Sequence, residues 1–156
     1  KHSQRPVAIH PQNRKLANGG LLASDTDPIL RGDAAETQEL SWATGNTDII
    51  ATTTILPLDF DGSADATLDL WVYSGTTDPA TFTVETGWDG GALVSDTATD
   101  GAPSATLKKI TATIAAADIP DAAELLTLIL TPAAHATDVI ALLGCRLNYK
   151  RKLFTA

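Results

Sequence analysis

An antiparallel β-sandwich of the jelly-roll kind is predicted by three features of this 156-residue chain. From about Glu39 onward, apolar and polar residues alternate with a period of two, the signature of strands with one buried and one wetter face. Short clusters of Gly, Asp, Ser and Pro interrupt that alternation at regular intervals. Threonine, β-branched and suited to a half-exposed pleated surface, occurs 22 times, while aromatics are few and methionine is absent.

The elements follow in order. Residues 1–36 hold Pro6, Pro11, Gly19, Gly20, Pro28 and Gly32 among polar residues and keep no sustained period, which reads as an extended N-terminal arm. Val7, Ile9, Leu16, Leu21, Leu22, Ile29 and Leu30 are too apolar for a free tail, so such an arm lies along a partner or along its own body. The sandwich domain then occupies 37–156. Strands are predicted near 38–43, 48–56, 66–74, 80–87, 105–114, 124–131 and 138–149, with a short one at 91–96. Leu68, Leu70 and Val72 alternate with Thr67, Asp69, Trp71 and Tyr73, and Phe82 and Val84 alternate with Thr81, Thr83 and Glu85. In the last strand the spacing places Val139, Ala141, Leu143, Cys145, Leu147 and Tyr149 on one face. Turns are predicted at Asp61-Gly62-Ser63, Ser74-Gly75, Asp89-Gly90-Gly91 and Asp100-Gly101-Ala102-Pro103. The Ala-rich stretch from Ala115 to Ala123 suits one helical turn, and Pro120 limits its length.

Composition bounds the function. A chain of this length buries about two-thirds of its unfolded surface and needs no metal or disulfide to hold a core. Cys145 has no internal partner and reads as a small buried hydrophobe. No run approaches the roughly 20 apolar residues of a membrane span, and residues 1–20 lack a signal-peptide apolar segment, so the chain reads as soluble. All 19 carboxylates lie between Asp25 and Asp138, and eight of the 11 basic residues lie outside that span. Residues 16–145 carry three cations against 19 carboxylates, a net −16, and each basic end adds +4. An acidic body argues against nucleic-acid binding, and sorted charge favours docking the basic ends onto something negative.

No catalytic or metal motif stands out. Arg31-Gly32-Asp33 matches a cell-adhesion tripeptide, but three residues match by chance and a turn in the arm is expected. Asp59-Phe60-Asp61-Gly62-Ser63-Ala64-Asp65 has the oxygen density a calcium ion wants, yet its glycine comes too early and no terminal Glu follows, so a solvated hairpin loop is expected. His135 and Asp138 lie near one another, and Ser and Thr are plentiful. No nucleophile turn, metal-ligand pair or phosphate-cradling loop accompanies them, so neither enzyme activity nor a cofactor is expected. Trp71, Tyr73 and Trp88 leave two readings open: a sugar-stacking platform, or packing and subunit contact.

The stretch from Glu124 through Thr131-Pro132 and Asp138 into Val139–Leu153, with Leu70-Trp71-Val72-Tyr73-Ser74 and Ala80-Thr81-Phe82-Thr83-Val84-Glu85 upstream, resembles small virion structural proteins of tailed bacteriophages. The resemblance covers residues 45–153 in pattern and includes capsid decoration (cement) proteins, which sit as trimers on the head surface. It implies a non-enzymatic, adhesive role on the capsid surface of the virion, after synthesis in the host cytoplasm. The partner would be the major capsid protein or another virion protein, the chain itself forming a homotrimer, with neither nucleic acid nor membrane bound. Candidate interface residues are then Arg5, Val7, Ile9, Arg14, Lys15, Leu16, Leu21 and Leu22 in the arm, and Arg146, Lys150, Arg151 and Lys152 at the other end. The competing expectation is a carbohydrate-binding or adhesion module, or a head-binding module of a phage fibre or collar, supported by Trp71, Tyr73, Trp88 and the Asp59–Asp65 loop.

Overall fold

In a computed structural model of the chain, residues 4–9, 29–31, 39–99 and 101–152 are described. They form eleven strands: β1 (Gln4–Ile9), β2 (Ile29–Arg31), β3 (Glu39–Trp42), β4 (Ile50–Ile55), β5 (Phe60–Asp61), β6 (Ala66–Tyr73), β7 (Phe82–Trp88), β8 (Val94–Ala98), β9 (Lys108–Ile114), β10 (Leu125–Pro132) and β11 (Ile140–Arg151). A short 3-10 turn, Ala116–Asp118, falls inside the Ala-rich stretch. Two antiparallel sheets result. The larger runs β2-β3-β11-β6-β9, with β1 and β5 also paired to β11; the smaller runs β4-β10-β7-β8. The fold is an all-β sandwich.

The core lies between the sheets, where the alternating residues of each strand meet. Leu68, Leu70 and Val72 of β6 face Leu126, Leu128 and Leu130 of β10 and Phe82 and Val84 of β7, all essentially removed from water. Each such aliphatic side chain contributes about 1.5–3 kcal/mol by leaving water. Aromatic rings close the two ends. Trp42 meets Phe82 edge-on at 5.4 Å, and Phe60 lies 5.7 Å from Trp88 and 5.2 Å from Tyr149. Burial pushes the Cys145 thiol up to about 12, so it stays a protonated core residue.

Two turns show how local chemistry sets this topology. Asp89 and Gly90 both take positive φ (51° and 79°), and Gly91 N–H donates to the Trp88 carbonyl at 2.7 Å, so the β7–β8 hairpin turns as its Asp-Gly pair dictates. The second is a reciprocal clasp between the β6–β7 and β10–β11 connections. Asp138 Oδ2 accepts the N–H groups of Thr77 and Asp78, while Asp78 Oδ2 accepts those of Thr137 and Asp138, all within 2.7–2.9 Å. A side chain at Gly75 would put its Cβ 2.0 Å from Asp138 Oδ1, so glycine is required beside the clasp.

Features of the larger sheet go beyond the sequence reading or correct it. Within residues 1–36, Gln4–Ile9 and Ile29–Arg31 are strands of the larger sheet, so these pieces of the arm lie along the chain's own body. They are short, and β1 contains Pro6, so neither shows a legible alternation. In β11, the expectation that Val139, Ala141 and Leu143 share a face with Cys145, Leu147 and Tyr149 is corrected. The register shifts between Leu142 and Gly144, and this bulge puts Ile140 and Leu142 into the core ahead of Cys145, Leu147 and Tyr149.

Candidate functional site

The outer face of the larger sheet is built in rungs across β11, β6 and β9. The register sets Gly144 opposite Trp71 and Trp71 opposite Lys109, then Arg146-Asp69-Thr111, then Asn148-Thr67-Thr113. Opposed residues share a face, so these nine side-chain positions form one surface directed away from the core. At its centre Asp69 is only 3% exposed. Its carboxylate accepts from Arg146 Nη2 at 2.7 Å, Thr111 Oγ1 at 2.8 Å and Asn148 Nδ2 at 3.0 Å, and it pairs with Lys109 Nζ at 3.3 Å. Burial by itself pushes this carboxyl up. The donors outweigh burial, Arg146 foremost, and hold it at about 2.

Asp69 thereby fixes the residues around Trp71. The guanidinium carbon of Arg146 stands 4.9 Å from the centroid of the Trp71 ring, within cation–π range, while its Nη2 is tied to Asp69. On the β11 side of Trp71 the rung position is Gly144, and a Cβ there would meet nothing within 4 Å among the described residues. Among the described residues, the indole is therefore flanked by open space on one side and by Lys109 on the other. Tyr73, two residues along β6, hydrogen-bonds through its hydroxyl to the Glu39 carboxylate. A half-buried indole, a glycine gap, and fixed guanidinium, ammonium and amide donors can together stack an apolar ring face and donate hydrogen bonds at its rim.

Trp88 is buried against Phe60 and belongs to the core, so it is no part of a platform with Trp71 and Tyr73. Phe82, Val84, Thr86 and Trp88 continue one period-two run, a signal that assigns Trp88 to the core. The three carboxylates of the Asp59–Asp65 loop diverge. Asp59 accepts from Tyr149 Oη and Arg151 Nε, Asp65 accepts the Ala116 N–H, and Asp61 binds the Ser63 N–H and Lys150 Nζ. The Ser63 hydroxyl and N–H, with Lys150 behind them, hold Asp61 at about 2. Among the described residues, no group of three or more His, Cys, Asp or Glu is arranged to hold a metal ion. His135 is buried, with both ring nitrogens 2.9 Å from backbone carbonyls, those of Ala133 and Ala43.

Of the candidate interface residues, Arg5, Val7 and Ile9 lie in β1 opposite Tyr149, Leu147 and Cys145. Arg14, Lys15, Leu16, Leu21 and Leu22 lie outside the described residues, as do Gly32 and Asp33. The C-terminal cations are engaged within the chain: Arg146 with Asp69, Lys150 with Asp61, Arg151 with Asp59, and Lys152 Nζ with the Asp121 carbonyl. The basic end thus finds its first counter-charges in the acidic body beside it.

No protein-family profile matches the chain, and a search of characterised protein sequences returned no match. Solved structures align with the chain. The CBM36-1 domain of a multidomain xylanase from the hindgut metagenome of Trinervitermes trinervoides aligns at TM-score 0.56 and 12% identity, over 92% of this chain and 96% of that one. The CBM22-1–GH10 modules of Clostridium thermocellum xylanase 10B, complexed with xylohexaose, align at TM-score 0.47 and 12% identity over 98% of this chain, which spans 26% of that one. CsCBM6-3 of Clostridium stercorarium, complexed with cellobiose, aligns at TM-score 0.46 and 16% identity over 80% of this chain and 81% of that one. The chain has the jelly-roll sandwich fold shared with the CBM36-1 domain.

Proposed function

We propose that this chain is a non-catalytic carbohydrate-binding module that takes a glycan on the outer face of its larger sheet, with Trp71 as the stacking ring. The observation that carries the reading is the rung Gly144-Trp71-Lys109: an indole on a sheet face beside an empty position, with Arg146 and Lys109 held in place by the buried Asp69. Its likeness in fold to a carbohydrate-binding domain of a xylanase supports the reading without choosing the site, because one fold hosts many functions. The residues of the face support that choice. Trp71 supplies stacking, Arg146 and Lys109 supply donors to hydroxyl or carboxylate oxygens, and Asn148 and Thr67 define the far rim.

The test is titration with a panel of soluble glycans, including xylan, mixed-linkage β-glucan, galactan and an acidic polysaccharide, read by calorimetry and tryptophan fluorescence. Trp42 and Trp88 are buried in the core, so a fluorescence change on binding reports Trp71. Trp71→Ala should abolish binding and leave the β circular-dichroism spectrum unchanged. If no glycan of the panel bound, or if Trp71→Ala bound as well as the parent, the reading would be wrong.

A capsid-decoration role is a second proposal, favoured by one observation: the cations of the described residues sit in the strands of the larger sheet or directly after β11. Co-sedimentation with phage shells that is unaffected by Trp71→Ala and weakened by salt would favour it over glycan binding.

A further inference from the structure

We propose that two copies of this chain associate through β4, joining their smaller sheets edge to edge into one continuous sheet. Among the described residues, strand β4 is an edge of the smaller sheet and pairs only with β10. Leu56 N–H donates to the Glu124 carbonyl, so along the antiparallel ladder the even residues of β4 bond to β10. The N–H and C=O groups of Ala51, Thr53 and Ile55 therefore point outward from the edge, where they invite another strand.

Other edges carry charges that discourage such pairing: Lys108 and Lys109 on β9 and Asp96 on β8. Strand β4, Ile-Ala-Thr-Thr-Thr-Ile, carries neither charge nor proline in a chain of net charge −8. Its exposed residues also complement themselves. Turned antiparallel about Thr52, two copies set Ile49 opposite Ile55 and Ala51 opposite Thr53. Ile49 is 38% and Ile55 77% exposed, so each isoleucine would cover its counterpart on the partner copy. Leu125, opposite Ile55 on β10 and 40% exposed, extends this apolar strip. No carboxylate is brought against another along the new ladder, so the occupant that fits is a second copy.

The two-fold axis of such a pair runs perpendicular to the joined sheet, so both larger-sheet faces point the same way. If those faces bind glycan as proposed above, the pair is bivalent and gains avidity on a polymer; the association itself does not depend on that reading.

Sedimentation velocity of the full chain across a concentration series, with residue-level amide exchange, tests the proposal. A concentration-dependent dimer is expected, with the amides of Ala51, Thr53 and Ile55 becoming slower to exchange as it forms. The Thr52 and Thr54 amides, already bonded to β10, should change little. Ile55→Lys sets cations against the facing strand and should raise the dissociation constant about tenfold or more. Thr53→Pro removes an outward N–H and should do the same, and Ile55→Lys alone suffices if the proline variant does not fold. A monomer at every concentration, a dimer unaffected by Ile55→Lys, or β4 amides protected at all concentrations would each overturn the proposal, the last by showing that the chain covers its own edge.

Discussion

The two outer faces of this sandwich are built on the same period-two alternation and differ in what fills the outward positions. On the larger sheet those positions hold Trp71, Asp69, Arg146, Lys109 and Asn148, linked by charge-assisted hydrogen bonds around one buried carboxylate. On the smaller sheet they hold mostly threonines and aliphatics, Thr53, Thr127, Thr131, Thr83 and Thr97 with Ile55, Leu125 and Ile129, and a single carboxylate, Glu85, beside Ser95. Thr53 and Thr127 approach only to 3.4 Å. The strands of the smaller sheet contain no lysine or arginine. Specific geometry is therefore concentrated on one face, and the other is a plain, adaptable surface. A network that fixes side chains is what a binding site requires, whereas an uncharged edge strand, β4, suits association by shape and backbone pairing.

That contrast can be broken by mutation, starting where the effect should be largest. Asp69→Ala removes the acceptor of four donors and leaves Arg146 and Lys109 without their shared counter-charge. It should cost about 3 kcal/mol by denaturant unfolding, as breaking a buried ion pair does. It should also release Arg146 from Trp71 and weaken any ligand held there.

Acid titration sharpens the same point. Asp69 is held at about 2 in the fold against an ordinary value of 3.8. Its stabilisation is therefore complete above the unfolded value and lost as pH falls through the folded one. About 2 kcal/mol should disappear between roughly pH 4 and pH 2 in unfolding curves. The isosteric change Asp69→Asn, which cannot titrate, should remove most of that dependence. Away from both faces, Asp138→Ala opens one half of the loop clasp by freeing the Thr77 and Asp78 N–H groups. A loss of about 1–2 kcal/mol is expected in the same assay. The smallest effect belongs to the smaller sheet: Thr53→Val should change stability by less than about 0.5 kcal/mol, because no network depends on that hydroxyl.

Most of the sandwich was legible because its strands carry clean alternation. The prediction over 66–74 meets β6 at Ala66–Tyr73, and that over 105–114 meets β9 at Lys108–Ile114. Strands β2 and β5 were not legible, having three and two residues, too few for any period to register. The β11 bulge was hidden because Ile140, Ala141, Leu142 and Leu143 are all apolar, so an extra residue leaves no break in the pattern. The outward direction of Trp71 and Tyr73 followed from β6 alone. What surrounds Trp71 did not, because Asp69 draws its partners from 42, 77 and 79 residues away, and only the strand order brings them together.

Glycan binding at the Trp71 face, as proposed, is decided by titrating isotope-labelled protein with the tightest glycan of the panel and following amide and indole resonances. The largest shifts are expected at the Trp71 indole, Lys109, Gly144, Arg146 and Asn148, with the smaller sheet unmoved. Shifts confined to the smaller sheet or to the loop ends of the sandwich, with Trp71 unchanged, would contradict it.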